Sequence, residues 1–315
     1  MSQRRADLLL VLISVIWGTT FTMVHTTVET FPALALIAMR FWFAALVFVP
    51  TLLSRRAELT RHNLKVGILL GALLFAGFTT QTLGLGYTSP ARGGFITGLN
   101  VVLVPLLGLI FGQRPPTRAV VGVALAVAGL TVLSWGCQIP WLGCAADVVS
   151  TPAQRTGDLL ILVCAFAFAM HIVAVSRWAT TLPLITLNGV QMFTAALLGS
   201  VAALFAGSIP VPSLSVWGVA LFLGVIATAM MFWLQLWLQR YTSATHTALI
   251  FALEPVFAAF FSWLWIGEAL TWAVLLGGGL MLLGVIVAEV SFGRRADGDD
   301  GQPRRADDPM LDGAQ

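Results

Sequence analysis

Charge is what this 315-residue chain has least of: Asp, Glu, Lys and Arg together supply 10% of it, where a soluble globular domain carries about 25%. With 58% hydrophobic residues and a mean hydropathy of +0.91, that scarcity excludes a water-soluble globule and leaves an integral membrane protein. Cysteine is scarce too. The three present include no C-x-x-C pair, so no metal centre is expected. Cys137 and Cys144 lie in the longest loop, 136–157. Two readings stay open for them: a disulfide if the loop faces an oxidising compartment, or two free thiols. Cys164 falls inside an expected helix and reads as core packing. The chain lacks a phosphate-cradling glycine loop, H-E-x-x-H, G-x-S-x-G and paired intramembrane aspartates. Those absences disfavour ATP-driven transport by this chain and the motif-bearing intramembrane enzymes, and they call for no cofactor. The net charge of +3 does not imply nucleic acid, because the basic residues are scattered through short loops instead of forming a stripe.

What the chain does have is apolar runs of about 20 residues, the length that crosses a hydrocarbon layer roughly 30 Å thick. Ten fit, at 7–27, 33–53, 66–86, 93–112, 118–136, 157–177, 183–206, 215–239, 244–266 and 270–291. The first, from Leu8 to His25, lacks a small-residue cleavage site followed by a soluble domain and reads as a retained helix, not a removed signal peptide. With the N-terminus inside, only Arg92 and Arg155 fall outside and Arg40 lies within a span, so the other fourteen of the 17 basic residues are cytoplasmic. The positive-inside rule therefore gives an N-in, C-in multi-pass protein. Residues 292–315, with Asp297, Asp299 and Asp300 among arginines, read as a disordered cytoplasmic tail.

The chain also repeats itself. Asp7-Leu8-Leu9 matches Asp158-Leu159-Leu160, Arg40 matches Gln191, and Gln81 with Tyr87-Thr88-Ser89 matches Gln235 with Tyr241-Thr242-Ser243. Gly112, Gly122 and Gly129 match Gly267, Gly277 and Gly284. The organisation expected is a five-helix unit at 1–136, an extracytoplasmic loop at 137–156 and a second five-helix unit at 157–291. Five is odd, so the second unit enters the membrane inverted. An inverted repeat sets a pseudo-two-fold axis in the membrane plane and a cavity between the halves that can open to either side. The Tyr-Thr-Ser copies fall in the short loops after the third and eighth spans and read as turn and helix-start signals.

Ile16-Trp17-Gly18 with Phe21, Arg40-Phe41, Gly94-Phe95 through Pro105-Leu106, Leu253-Glu254-Pro255-Val256-Phe257 and Gly267-Glu268 follow one another in that order. In these motifs the chain, over about 7–291, resembles the EamA branch of the drug/metabolite transporter superfamily. One departure is Gly112-Gln113-Arg114, where a Gly-Glu pair is common, so the Glu268 carboxylate has no twin. The resemblance implies a small-molecule carrier of the bacterial inner membrane, often an exporter of amino acids or other metabolites. It also implies a cavity lined mainly by helices 1, 3, 4, 6, 8 and 9, with helices 5 and 10 serving packing or homodimer contacts.

Polar groups in mid-membrane are costly and usually face an interior or a wet cavity. The repeat pairs Thr20 with His171, Gln81 with Gln235, and Asn100 with Glu254. Glu254 precedes Pro255, which lacks an N–H and frees a carbonyl one turn back. It suits contact with an ammonium or polar substrate group, or a proton-carrying role; the alternative is a protonated carboxyl bonded to a neighbouring helix. His171 suits proton coupling or gating, since imidazole changes charge near neutral pH, or else it bridges two helices. Gln81, Gln235 and Asn100 offer uncharged donors and acceptors for substrate or for interhelical bonds. Trp17, with Phe75, Phe78, Phe95, Phe166, Phe232, Trp233 and Phe251, hints at an aromatic lining. Arg40, roughly 12 Å along its helix from Pro32, either snorkels outward or pairs inside and reads as structural, its helix being peripheral in the family picture.

The functional reading is a secondary transporter of small organic metabolites, amino acids or drug-like compounds, working by alternating access with export as the expected direction. Small-molecule substrate and membrane lipid are its expected partners, and nucleic acid is not. The competing classes are a membrane sensor or scaffold that binds a metabolite without moving it, and an intramembrane enzyme.

Overall fold

The computed structural model describes residues 3–108, 117–135, 151–178, 182–207, 210–238, 250–251 and 253–289. Cys137, Cys144, the second Tyr-Thr-Ser and the 292–315 tail lie outside these residues. Among the described residues the chain is helical without strands. Helices α1 (Gln3–Val28), α2 (Ala33–Ser54), α3 (Arg61–Leu85), α7 (Pro152–Trp178) and α8 (Leu184–Phe205) are continuous. Together with the stretch Leu214–Gln235 they make six segments long and apolar enough to cross a membrane. Shorter helices are α6 (Thr117–Trp135) and α12 (Trp272–Glu289).

Three of the apolar runs expected from the sequence are interrupted or distorted. The fourth divides into α4 (Pro90–Gly98) and α5 (Asn100–Gly108), with Leu99 between them. The eighth passes from α9 (Leu214–Leu221) through a π-helical stretch, Phe222–Met230, into α10 (Met231–Leu238). The ninth is helical at 250–251 and again in α11 (Glu254–Ile266), with a turn at Leu253 just before Glu254. Lipid offers no hydrogen bonds, so irregular backbone at membrane depth is tolerated only where protein or a polar cavity covers it.

Helix starts are set locally. Thr60 accepts the Asn63 N–H at α3 and Ser89 accepts the Arg92 N–H at α4, where Pro90 takes the first turn; both are N-cap contacts that satisfy otherwise orphan donors. Packing is by close approach, as expected where lipid tails are as apolar as the helices and small residues let backbones touch. A Cβ added to Gly129 would lie 2.6 Å from Gly277 O, and one added to Gly277 would lie 2.8 Å from Gly129 O, which joins α6 to α12 backbone to backbone. Gly71 of α3 meets Gln191 of α8, and Gly18 of α1 meets Phe257 of α11, in the same manner. Large apolar side chains such as Leu46, Leu197, Leu204 and Trp263 are exposed, as a lipid-facing surface requires.

Gly277→Val is expected to lower the melting temperature of the purified protein in detergent, since overpacking of this kind costs about 1–3 kcal/mol. Gly279→Ala, two residues on but with open space around its Cβ position, should leave the melting temperature unchanged in the same thermal unfolding assay.

Candidate functional site

The breaks in the fourth and ninth runs face each other. A Cβ on Gly94 would stand 2.6 Å from Ala258 Cβ, and one on Gly98 2.9 Å from Pro255 Cγ. Two glycines one turn apart thus let α4 lie directly on the start of α11. This contact sets Asn100, the first residue of α5, and Glu254, the first of α11, at the two discontinuities.

Polar side chains converge on the same crossing. Gln81 of α3, buried, donates from Nε2 to Thr97 Oγ1 of α4 at 3.3 Å. Cys164 of α7 is buried and lies close to the Thr97 side chain and to Glu254. Four elements, α3, α4, α7 and α11, therefore bring Gln81, Thr97, Cys164 and Glu254 together. Asn100 and Glu254 are half-buried and form no side-chain hydrogen bond among the described residues. The arrangement gathers an amide, a hydroxyl, a thiol and a carboxyl at the crossing of two interrupted helices.

A wall of rings adjoins it. Phe78, one turn before Gln81 on α3, packs edge-on against Phe41 at 5.4 Å and Phe168 at 5.0 Å between centroids. Phe232 of α10 reaches Trp17 of α1 at 5.7 Å, and Trp17 reaches Phe251 at 5.2 Å. Trp17 Nε1 donates to Ala227 O at 2.8 Å, inside the π-helical stretch. On α7 the spacing of Cys164, Phe168 and His171 is i, i+4, i+7, a single helix face. His171 Nε2 donates to Gln191 Oε1 of α8 at 2.9 Å, and Gln191 in turn donates to Asn188 Oδ1. His171 thus bridges α7 and α8, and no contact joins it to Glu254 among the described residues. Gln235 is half-buried on α10, and no hydrogen bond joins it to Gln81 among the described residues.

At one end of the bundle a second polar cluster ties α4 to α7. Arg92 and Asp158, both 7% exposed, form an ion pair. Arg92 Nε donates to Asp158 Oδ1 at 3.3 Å and Thr88 Oγ1 to the same oxygen at 2.6 Å. Arg92 also donates to Leu133 O at the end of α6. Nearby, Glu268 Oε2 accepts the Ala91 N–H at 3.2 Å and the Ser262 hydroxyl. Its carboxylate sits over the first turn of α4, where the helix dipole favours negative charge. Gly267, at φ +66°, supplies the left-handed turn that precedes this residue.

The sequence reading missed Thr97, Cys164, Arg92 and Asp158 as members of polar clusters. The pairing of Asp7 with Asp158 in the repeat was the signal available for the last of them.

The model of the EamA-like transporter family matches residues 4–135 and 155–289. A protein of Archaeoglobus fulgidus named as an uncharacterized transporter is 32% identical over 286 residues, covering 90% of this chain and 86% of the relative. The uncharacterized transporter YyaM of Bacillus subtilis is 27% identical, over 87% of this chain and 90% of its own. The uncharacterized inner membrane transporter YedA of Escherichia coli is 28% identical over 64% of this chain and 63% of its own. A solved crystal structure shares the fold, with a TM-score of 0.63 at 20% identity, covering 90% of this chain and 97% of that one.

Asp158→Asn leaves the buried Arg92 without its counter-charge, a change that costs about 3–5 kcal/mol when one partner of a buried pair is removed. The expected result is a lower melting temperature in detergent for Asp158→Asn and for Arg92→Gln alone. The double variant should fall short of the sum of the two in a mutant cycle.

Proposed function

The chain belongs to the EamA-like transporter family, and on that premise we propose that it is a secondary carrier of small organic metabolites, moving them across the bacterial inner membrane by alternating access, in the export direction. In this reading ten helices form two inverted five-helix units, 1–136 and 157–291, joined by the extracytoplasmic loop 137–156, with both termini and the 292–315 tail in the cytoplasm. Similarity to YedA, which is named an uncharacterized inner membrane transporter, supports the location.

Support for the inversion comes from α6 and α12. The repeat equates Gly122 with Gly277 and Gly129 with Gly284. The contact of Gly129 with Gly277 then maps onto one between Gly284 and Gly122, and a Cβ on Gly284 would indeed lie 2.6 Å from Gly122 O. A two-fold operation exchanges the two contacts.

The observation that carries the transport reading is the convergence of Gln81, Thr97, Cys164 and Glu254 where α4 crosses α11. Interrupted helices meeting at mid-membrane, one from each half, are how carriers of this kind build a solute site between repeats. The half-buried Glu254 and Asn100 are the groups with donor or acceptor capacity left for a substrate there, and Trp17 supplies an apolar wall. Glu254 is the proposed proton-carrying group, with His171 as a second. Gln235 is proposed to serve substrate from the eighth span. Under the N-in orientation Arg92–Asp158 and Glu268 with the Ala91 N–H both lie at the outer end and both join one half to the other, so they close the cavity to the outside. The α6 and α12 pair is left for packing or for contacts of a homodimer.

Counterflow of labelled metabolites in liposomes holding only this protein tests the carrier reading; no flux with any solute would replace it with a sensor or scaffold. Glu254→Gln is expected to abolish the response of flux to a pH gradient, and an unchanged rate and pH response would remove the proton role from Glu254.

A further inference from the structure

Arg40 does not snorkel to the surface. It is 2% exposed, about 12 Å along α2 from Pro32 at 1.5 Å per residue, and its side chain points between helices. Nε donates to Thr228 Oγ1 at 2.8 Å. The guanidinium carbon lies 4.1 Å from the centroid of Phe78. Among the described residues no carboxylate stands within ion-pair distance of it, and no acceptor takes the N–H donors of its two Nη atoms. A guanidinium keeps its proton and offers five donors in a planar fork. In hydrocarbon such a group is expensive unless something pairs with it, and intramembrane charges usually mark a solute path.

The surroundings hold this cation in place without neutralising it. A Cβ on Gly224 would come 2.5 Å from Arg40 O, so α2 is pressed backbone-first onto the π-helical stretch that also carries Thr228. π-helical turns recur at functional sites. The one ring beneath the guanidinium, Phe78, meets Phe168 and Phe232, both half-buried. Phe78 and Gln81 stand three residues apart on α3, and Cys164 and Phe168 four apart on α7, spacings that put each pair on one helix face roughly 5–6 Å apart. The ring wall therefore runs from Arg40 at one end to the Gln81, Thr97, Cys164 and Glu254 cluster at the other.

We propose that Arg40 is a solute-binding residue that receives the anionic group of the substrate, a carboxylate or another small organic anion, through its Nη fork, while the apolar body of the solute lies on Phe78, Phe168 and Phe232. This deepens the carrier reading and rests on it for the passage of the solute, but the binding step is measurable by itself. Bidentate pairing of a guanidinium with a carboxylate is among the stronger and more directional contacts available, and an amide of the same shape cannot reproduce it. The assignment makes the solute an anion at one end, with the uncharged or proton-carrying groups near Glu254 facing its other end.

The test is equilibrium binding to the full-length protein in lipid nanodiscs, by calorimetry, with matched acid and amide probes: propionate with propionamide, and 3-phenylpropionate with 3-phenylpropionamide. The wild-type protein is expected to bind each acid at least about tenfold more tightly than its amide, the scale of one good charge-assisted contact, and 3-phenylpropionate more tightly than propionate. Arg40→Gln should erase the preference for acids while leaving amide binding in place, and Arg40→Lys should keep part of it. A wild-type protein without preference for the acids overturns the proposal, whatever the variants do. So does a folded Arg40→Gln protein that retains the preference. Binding of acids without flux in liposomes would leave the anion site standing and remove the carrier reading; flux by an Arg40→Gln protein with unchanged acid selectivity would do the reverse.

Discussion

Hydrocarbon offers the backbone nothing to bond to, and this constraint governs where the chain departs from regular helix. Every peptide group in the apolar layer must find its partner within the protein. The departures at Leu99, at Phe222–Met230 and before Glu254 are therefore the places where other groups stand close by. At Leu99 and Glu254 the two irregular stretches cover one another through Gly94, Gly98 and Pro255. At the π-helical stretch, Trp17 reaches the Ala227 carbonyl and Arg40 the Thr228 hydroxyl, so two side chains from α1 and α2 settle on adjacent residues. Irregular backbone and polar side chain are the same feature seen twice.

The two polar clusters differ in kind. The cluster around Arg92 and Asp158 is satisfied: its charges neutralise one another, and Thr88 and the Leu133 carbonyl take further bonds. A satisfied buried pair fixes geometry more than it adds stability, because the desolvation of both ions offsets most of their attraction. The inner groups are left open. Glu254 and Asn100 retain bonding capacity, and Arg40 is held by one hydroxyl and one ring. Closed polar networks suit a latch, and open ones suit a site that exchanges its occupant.

Much of the architecture could be read from apolar run lengths, because the requirement for about 20 residues per crossing is written directly into composition. The Ser89-Pro90 start of α4 was legible for a local reason, as a cap and an N1 proline are neighbours in sequence. Glu254 and Gln81 stood out because a polar residue in an apolar run is conspicuous. Thr97 and Cys164 did not, since a hydroxyl or thiol in a helix usually bonds its own preceding turn or packs as a small apolar group; only the crossing of α4, α7 and α3 shows them side by side. Arg92 was read as a loop residue of the outer face, because hydropathy averages a window and says nothing of a partner 66 residues on. Arg40 was assigned to structure from the family picture of its helix, whereas the side chain reaches past α2 to α3 and the π-helical stretch. Position along the chain tells depth, but length of side chain decides whose territory a residue enters.

The glycine contacts between α6 and α12 have a mechanical consequence. Where two backbones touch across Gly129, Gly277, Gly122 and Gly284, the side chains of Met281, Leu133 and Ala126 lie against the same glycines. The peptide contacts set how close the helices come, and the side chains beside them set how far either can turn. The pair therefore resembles a pinned joint, drawn close by what the glycines lack and locked by what their neighbours carry.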